Sequence, residues 1–349
     1  MARYLVTGGC GFIGSHLVER LLSRGHGVTV LDDLSTGKRS NIPHTVPLVV
    51  GDVAAPGLVA RTLTGLDGCF HLAAIASVDK SREQWLATNR TNLAGTIAVF
   101  DAARQVGGTR RVPVVYASSA AVYGDNPECP LTETATVRPL SAYGADKLAC
   151  ELHGAVADHV HGVPTIGFRF FNVYGPRQDP KSPYSGVISI FADRIARDQP
   201  IVIDGDGEQV RDFVYVGDVV GVLVAAMAAP RAGAPVFNVC TGRGISINEL
   251  ARTLGTLSER HPEIAHGSPR VGDIGRSVGS PAALARAFGL TCATSLMDGL
   301  ATTLAWGQGQ RRAPAPALTG RGGRWTFPAG QEGVEHQQQP QGGGVVVAA

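Results

Sequence analysis

"VTGGCGFIGSHL", residues 6–17, sets Gly8, Gly11 and Gly14 three apart. The run before it, "RYLVTG" (3–8), reads as a strand, and "IGSHLVERLLSR" (13–24) reads as an amphipathic helix. A strand that turns sharply into a helix needs backbone free of Cβ atoms at the bend. The helix start then offers unpaired N–H groups and the positive end of its dipole to a phosphate. The chain has 45 glycines, so the triplet alone says little. Its place between the first strand and the first helix is what points to a diphosphate cradle.

Outward from that turn, short apolar runs alternate with longer stretches of helical period. The runs are "GVTVLD" (27–32), "PLVVGD" (47–52), "CFHLAA" (69–74), "VPVVYASS" (112–119) and "TIGFRFFN" (165–172). Helix candidates between them include "NRTNLAGTIAVFDAARQV" (89–106). Runs apolar on both faces suit a parallel sheet covered by helices on each side, so residues 1–172 read as a doubly wound, Rossmann-type α/β domain. The second strand ends in Asp32-Asp33, where a carboxylate accepts hydrogen bonds from an adenosine ribose and repels a 2′-phosphate. That favours NAD, while Lys38 and Arg39 nearby keep NADP open. Asp52, ending the third strand, is either an adenine contact or a helix cap.

After about residue 173 the rhythm breaks. A proline-rich loop (176–186) leads into the helix "VISIFADRIARD" (187–198), a turn-broken strand pair "IVIDGDGEQVRDFVYV" (201–216) and the helix "DVVGVLVAAMAA" (218–229). The expectation is a smaller α/β substrate domain over 173–306, partly interleaved because about 212–240 returns to the first domain. Residues 307–349, rich in Gly, Pro and Gln, read as a disordered low-complexity tail, with Trp325 and Phe327 as its aromatic residues.

Composition narrows the function classes. A net charge of +2 and no basic stripe argue against a nucleic-acid partner. No apolar run approaches the roughly 18 residues of a membrane span, and the immediate opening strand leaves no room for a signal peptide. The six cysteines are scattered, without C-x-x-C or metal-ligand spacing, as in a cytoplasmic protein with no metal site.

"SAYGADKLAC" (141–150) carries Tyr143 and, four residues on, Lys147, one of only four lysines among 31 basic residues. Residues four apart share a helix face at about 5–6 Å, so the ammonium lies beside the phenol. Free tyrosine titrates near about 10, too high for a base at neutrality. A unit charge about 6 Å away, at an effective dielectric near 20, is worth about 2.8 kcal/mol toward the phenolate. Ser118 and Ser119 end the preceding strand, where ligands of such sheets bind, and both hydroxyls are expected to face the cofactor.

Glycine turn, serine and Tyr/Lys pair together resemble the extended short-chain dehydrogenase/reductase superfamily over about residues 2–306. The resemblance is closest to the NAD-dependent nucleotide-sugar 4-epimerases. It is carried by "TGGCGFIGSHL", "SSAAVYGD", Tyr143…Lys147, "RFFNVYGPRQDP" (169–180) and "GDGEQVRDFVYVGDV" (205–219). It implies Tyr143 as base and acid, Lys147 as its electrostatic partner and a ribose ligand, and Ser119 as a contact to sugar O4, with Ser118 beside it. For the cofactor it implies Gly8, Gly11, Phe12, Ile13, Gly14, Asp32, Asp33, Ser35, Asp52, Val53, Leu72, Ala73, Ala74, Asn92 and Phe171. For a UDP-sugar it implies Asn172, Arg211 and Arg270 at the diphosphate, Asp273 at the nucleoside ribose, and Ser277 beside the sugar's C2 group.

Related 4,6-dehydratases and sugar-acid decarboxylases carry a glutamate just before "VYG", where this chain has Ala120 and Ala121. Their absence favours simple 4-epimerisation: oxidation at C4, rotation of the ketone and return of the hydride. The small Ser277 admits an N-acetyl group, so the expected substrates are UDP-GlcNAc and UDP-GalNAc, with UDP-glucose and UDP-galactose as further ones. Alternatives are a UDP-glucuronate 4-epimerase, a 4-ketoreductase, or a non-catalytic NAD-binding scaffold. Relatives pair as homodimers through two long helices, here about 85–105 and 143–160. Gly279-Ser280 departs from the Ala-Asp pair common in relatives.

Overall fold

A computed structural model describes residues 1–106, 111–180, 182, 186–270 and 272–312. The expected strands form where the apolar runs are: β1 Arg3–Thr7, β2 Gly27–Asp32, β3 Leu48–Val50, β4 Gly68–His71, β5 Val114–Ser119 and β6 Thr165–Phe170. With Val236–Val239 they make a seven-stranded parallel sheet in the order 3-2-1-4-5-6 followed by Val236–Val239. The order reverses between β1 and β4, and a crevice opens there at the carboxyl ends of the strands. One face is covered by helices Phe12–Ser23 and Val216–Ala228, the other by Gly95–Val106 and Ala142–His161. β6 is buried along its whole length, as a central strand covered on both faces must be.

The second lobe differs from its expected form in one respect. Ile201–Asp204 and Val210–Tyr215 are both strands, but they do not pair with each other. Ile201–Asp204 pairs in parallel with Ile264–Gly267. Val210–Tyr215 joins Asn172–Tyr174, Gly244–Ser246 and Arg276–Ser277 in a small sheet. The lobe has its own core, in which Ile188, Phe191, Ile203, Phe213, Leu250 and Leu300 meet.

Residues 216–239 return to the main sheet, whereas 210–215 stay in the small one. The last helix, Leu296–Arg312, runs past Trp306, beyond the expected start of the tail. Residues 313–349, with Trp325 and Phe327, lie outside the described residues. No helix among the described residues is long and apolar enough to cross a membrane.

Candidate active site

A cleft of about 620 Å³ runs along the carboxyl ends of the strands at the reversal point. Its floor is the glycine turn. Gly8 has φ +68°, and a Cβ there would come within 2.7 Å of the Ala73 nitrogen. A Cβ at Gly14 would collide with the Gly8 carbonyl, and one at Gly11 would crowd the same oxygen at 3.2 Å. The turn is therefore built for close backbone approach, and it opens the helix at Phe12 with no side-chain cap. Those unpaired N–H groups and the cradle they form fit a dinucleotide diphosphate.

The walls bring together most of the expected residues: Phe12, Ile13, Asp32, Asp33, Ser35, Asp52, Val53, Leu72, Ala73, Ala74 and Phe171 all line the cleft, as does Asn172. The two aspartates divide their work. Asp32 is buried and accepts the N–H groups of Cys10 and Leu34, so it shapes the turn. Asp33 is exposed, and its Oδ1 takes the Ser35 N–H and hydroxyl, which leaves Oδ2 for a ribose. Asp52 accepts the Ala54 N–H at 2.8 Å and faces Arg90 at 3.1 Å, which is local turn and surface pairing.

The cations that kept a 2′-phosphate open are both occupied. Lys38 pairs with Asp179 at 2.6 Å, and the Arg39 guanidinium donates to the carbonyls of Ile42, Pro43, His44 and Val46.

Tyr143 and Lys147 lie on the cleft side of helix Ala142–His161, which Ser141 caps through the Gly144 N–H. Lys147 is buried, its Nζ 5.9 Å from the centre of the Tyr143 ring and donating to the Ala117 carbonyl at 2.9 Å. That bond pins the helix to the end of β5. One turn further on the same face, Glu151 accepts the Ser118 hydroxyl and holds Arg169 of β6 through two parallel bonds of 2.9 and 2.7 Å. Arg169 also donates to the Tyr123 hydroxyl and the Glu133 carbonyl.

Ser118 lines the cleft, but its hydroxyl is buried and donates to Glu151, so only the expectation that this hydroxyl is free to face the cofactor is corrected. Ser119 is half-buried and its Oγ accepts the Ala121 N–H, although it is not among the residues lining the cleft. Asn92 is corrected too. It is fully buried, and its amide bonds both backbone groups of Ile75, so it holds the wall from behind. It does so from a π-helical turn, Arg90–Ala94, that turns this face inward.

His71, buried at the end of β4, sits between the hydroxyls of Thr7 and Thr96 at 2.8 and 2.9 Å. Thr96 gives its own proton to the Asn92 carbonyl, so His71 Nε2 is the donor toward it and Nδ1 accepts from Thr7. Burial, helped by Lys147, pushes His71 down to about 3, so it stays uncharged near neutrality.

The four remaining substrate residues lie in the second lobe and none lines the cleft. Arg211 and Asp273 bind each other at 2.5 Å, Arg211 also reaching the Ile274 carbonyl. Arg270 is exposed and pairs with Asp204 at 2.6 Å. Ser277 is buried in the short strand beside Arg211. Gly279, which departs from the expected family pattern, has a local reason: a Cβ there would meet the Phe171 ring at 2.6 Å and the Cys240 sulfur at 2.7 Å. Sequence reasoning missed Glu151 and Arg169. The signal was the continuation of the 143, 147 spacing to 151.

The model described as "NAD dependent epimerase/dehydratase family" matches residues 4–240. The chain belongs to that family. The UDP-glucose 4-epimerase of Mycolicibacterium smegmatis is 36% identical over 308 residues, 86% of this chain and 97% of its own. The UDP-glucose 4-epimerase of Thermus thermophilus, solved with NAD, is 38% identical with a TM-score of 0.82, covering 88% of this chain and 99% of that one. The UDP-N-acetylglucosamine 4-epimerase of Methanobrevibacter ruminantium, solved with UDP-N-acetylmuramic acid, is 33% identical with a TM-score of 0.81 over the same shares. Decarboxylases of UDP-sugar acids also occur among the relatives. The cofactor of this epimerase/dehydratase is NAD.

Proposed function

We propose that this epimerase inverts C4 of a UDP-hexose, with UDP-GlcNAc and UDP-GalNAc as its preferred pair and UDP-glucose and UDP-galactose as further substrates. The observation that carries this is the cleft-lining Tyr143 with the Lys147 ammonium beside it, opposite a turn, Ala120–Val122, that has no carboxylate. Bound NAD supplies the acceptor, and later the donor, of the C4 hydride. Tyr143 Oη takes the proton of the C4 hydroxyl and returns it to the same oxygen once the ketone has turned its other face to the hydride. Lys147, fixed by the Ala117 carbonyl, sets its ammonium beside the phenol while keeping two protons for a ribose. Ser119, half-buried at the end of β5, would orient O4. The alanines at 120 and 121 leave no second acid/base for loss of water or carbon dioxide. Asn172 would hold the substrate diphosphate, and Arg211, freed from Asp273, would join it.

The N-acetyl preference rests on the small Ser277. The homodimer rests on an exposed apolar stripe: Leu152, Val156 and Val160 follow one another at four-residue spacing, 63%, 47% and 63% exposed, and Leu86 is exposed on the neighbouring helix. Incubation with each UDP-sugar, followed at the anomeric proton by NMR, tests the substrate. Interconversion of UDP-GlcNAc and UDP-GalNAc is expected; turnover of UDP-glucose alone refutes the preference. Sedimentation velocity on the same sample should read twice the chain's mass, and a monomer at micromolar concentration refutes the pairing.

A further inference from the structure

The segment after the strand Asn172–Tyr174 lies as a strap over the first helix and the loop after β2. Three contacts fasten it. The Pro176 carbonyl accepts from His16 Nε2 at 2.8 Å, Arg177 Nη2 donates to Glu19 at 2.6 Å, and Asp179 pairs with Lys38 at 2.6 Å. Arg177 has φ +68°, a left-handed conformation that residues bearing a Cβ seldom adopt. The surrounding contacts hold it there nonetheless. Its other nitrogen, Nη1, is buried and has no hydrogen-bond partner among the described residues, and Arg177 lines the same cleft as Gly8, Gly11 and Phe12.

A buried guanidinium nitrogen without an acceptor is expensive, more so than a neutral donor. An anion is the partner that compensates it best. The other cations of the cleft are committed elsewhere: Lys38 to Asp179, and Lys147 to the Ala117 carbonyl at the end of β5. His16 adds no charge, since it donates from Nε2 to a carbonyl and burial pushes it below the ordinary histidine range. Glu19, on the helix that begins at the glycine turn, aims the guanidinium along that helix.

We propose that Arg177 is a further cofactor-binding residue, whose Nη1 donates to the diphosphate of the bound dinucleotide opposite the helix N–H groups. The strap holds the guanidinium in place from outside. This rests on the cleft being the NAD site, as proposed above. Guanidinium and backbone donors then grip the two phosphates from opposite sides, which is what charge-assisted recognition by arginine does best.

The test is the NAD content of the purified full chain and the Kd of NAD for protein stripped of it, for wild type, Arg177→Met and Arg177→Lys. Arg177→Met is expected to weaken NAD and ADP-ribose by about 10- to 100-fold, the worth of a charged hydrogen bond. It should leave adenosine unchanged and flatten the salt dependence of NAD binding. Arg177→Lys, which keeps the charge without the fork, is expected in between and serves as the fold control should the Met variant misfold. NAD affinity within two-fold of wild type in either folded variant overturns the proposal. So does a loss confined to UDP, which would assign the guanidinium to the substrate's diphosphate. A wild-type chain that binds no dinucleotide would instead sink the reading of the cleft itself.

Discussion

Tyr143→Phe is expected to lower kcat by about 10²–10⁴-fold, the usual worth of a positioned general acid/base. The variant removes one oxygen at the helix start and nothing that carries the fold. Tyr143 N–H, bound to the Ser81 hydroxyl, is unaffected, and so is the Ser141 cap. KM for the sugar nucleotide should therefore move only a few-fold, and NAD should remain bound through Lys147, the glycine turn and Asp33. A parallel loss of bound NAD would mean that Tyr143 acts by holding the cofactor. Steady-state kinetics together with dinucleotide release on denaturation separate the two.

The second large effect concerns stability. Arg169→Met leaves Glu151 buried with only the Ser118 hydroxyl to satisfy it, and also strips a donor from Tyr123. Breaking a buried pair in this way costs about 3–5 kcal/mol, whereas replacing both members with neutral groups of similar size costs far less. The double variant Glu151→Gln, Arg169→Met should thus recover much of the loss in urea unfolding. Both side chains are under a tenth exposed, so solvent screening does little to soften the effect. The pair ties β6 to the helix that carries Tyr143 and Lys147, and a loosened pair should lower activity before it unfolds the chain. Equal destabilisation in the single and double variants would show that packing volume, not charge, holds this joint.

The strands and the glycine turn were legible because their signals are local: apolar runs, a helix period, and glycines where a Cβ has no room. The second lobe was less so. Ile201–Asp204 finds its partner about sixty residues away at Ile264–Gly267, and no local pattern announces a pairing of that range. The two serines ending β5 look equivalent as a doublet, yet Ser118, which lines the cleft, gives its hydroxyl to Glu151, a partner thirty-three residues away that no local pattern announces. Asn92 sits at a plausible spacing from the cleft, but a π-helical turn decides where its amide points, and such turns leave no clear mark in sequence. Arg169 is hidden inside "TIGFRFF", where a charge in an apolar strand already implies a buried partner. Gly279 reads as a departure from relatives, and the Phe171 ring supplies its reason.

The central claim is that Tyr143 and Lys147 serve a redox step whose hydride leaves C4 and returns to C4 of the same sugar. The most direct test is a UDP-sugar carrying deuterium at C4, equilibrated with the wild-type enzyme in ordinary water and examined by NMR. The label should remain at C4 in the epimer, with its configuration inverted and no proton gained from solvent. Epimerised product that has lost its deuterium to water would contradict the account.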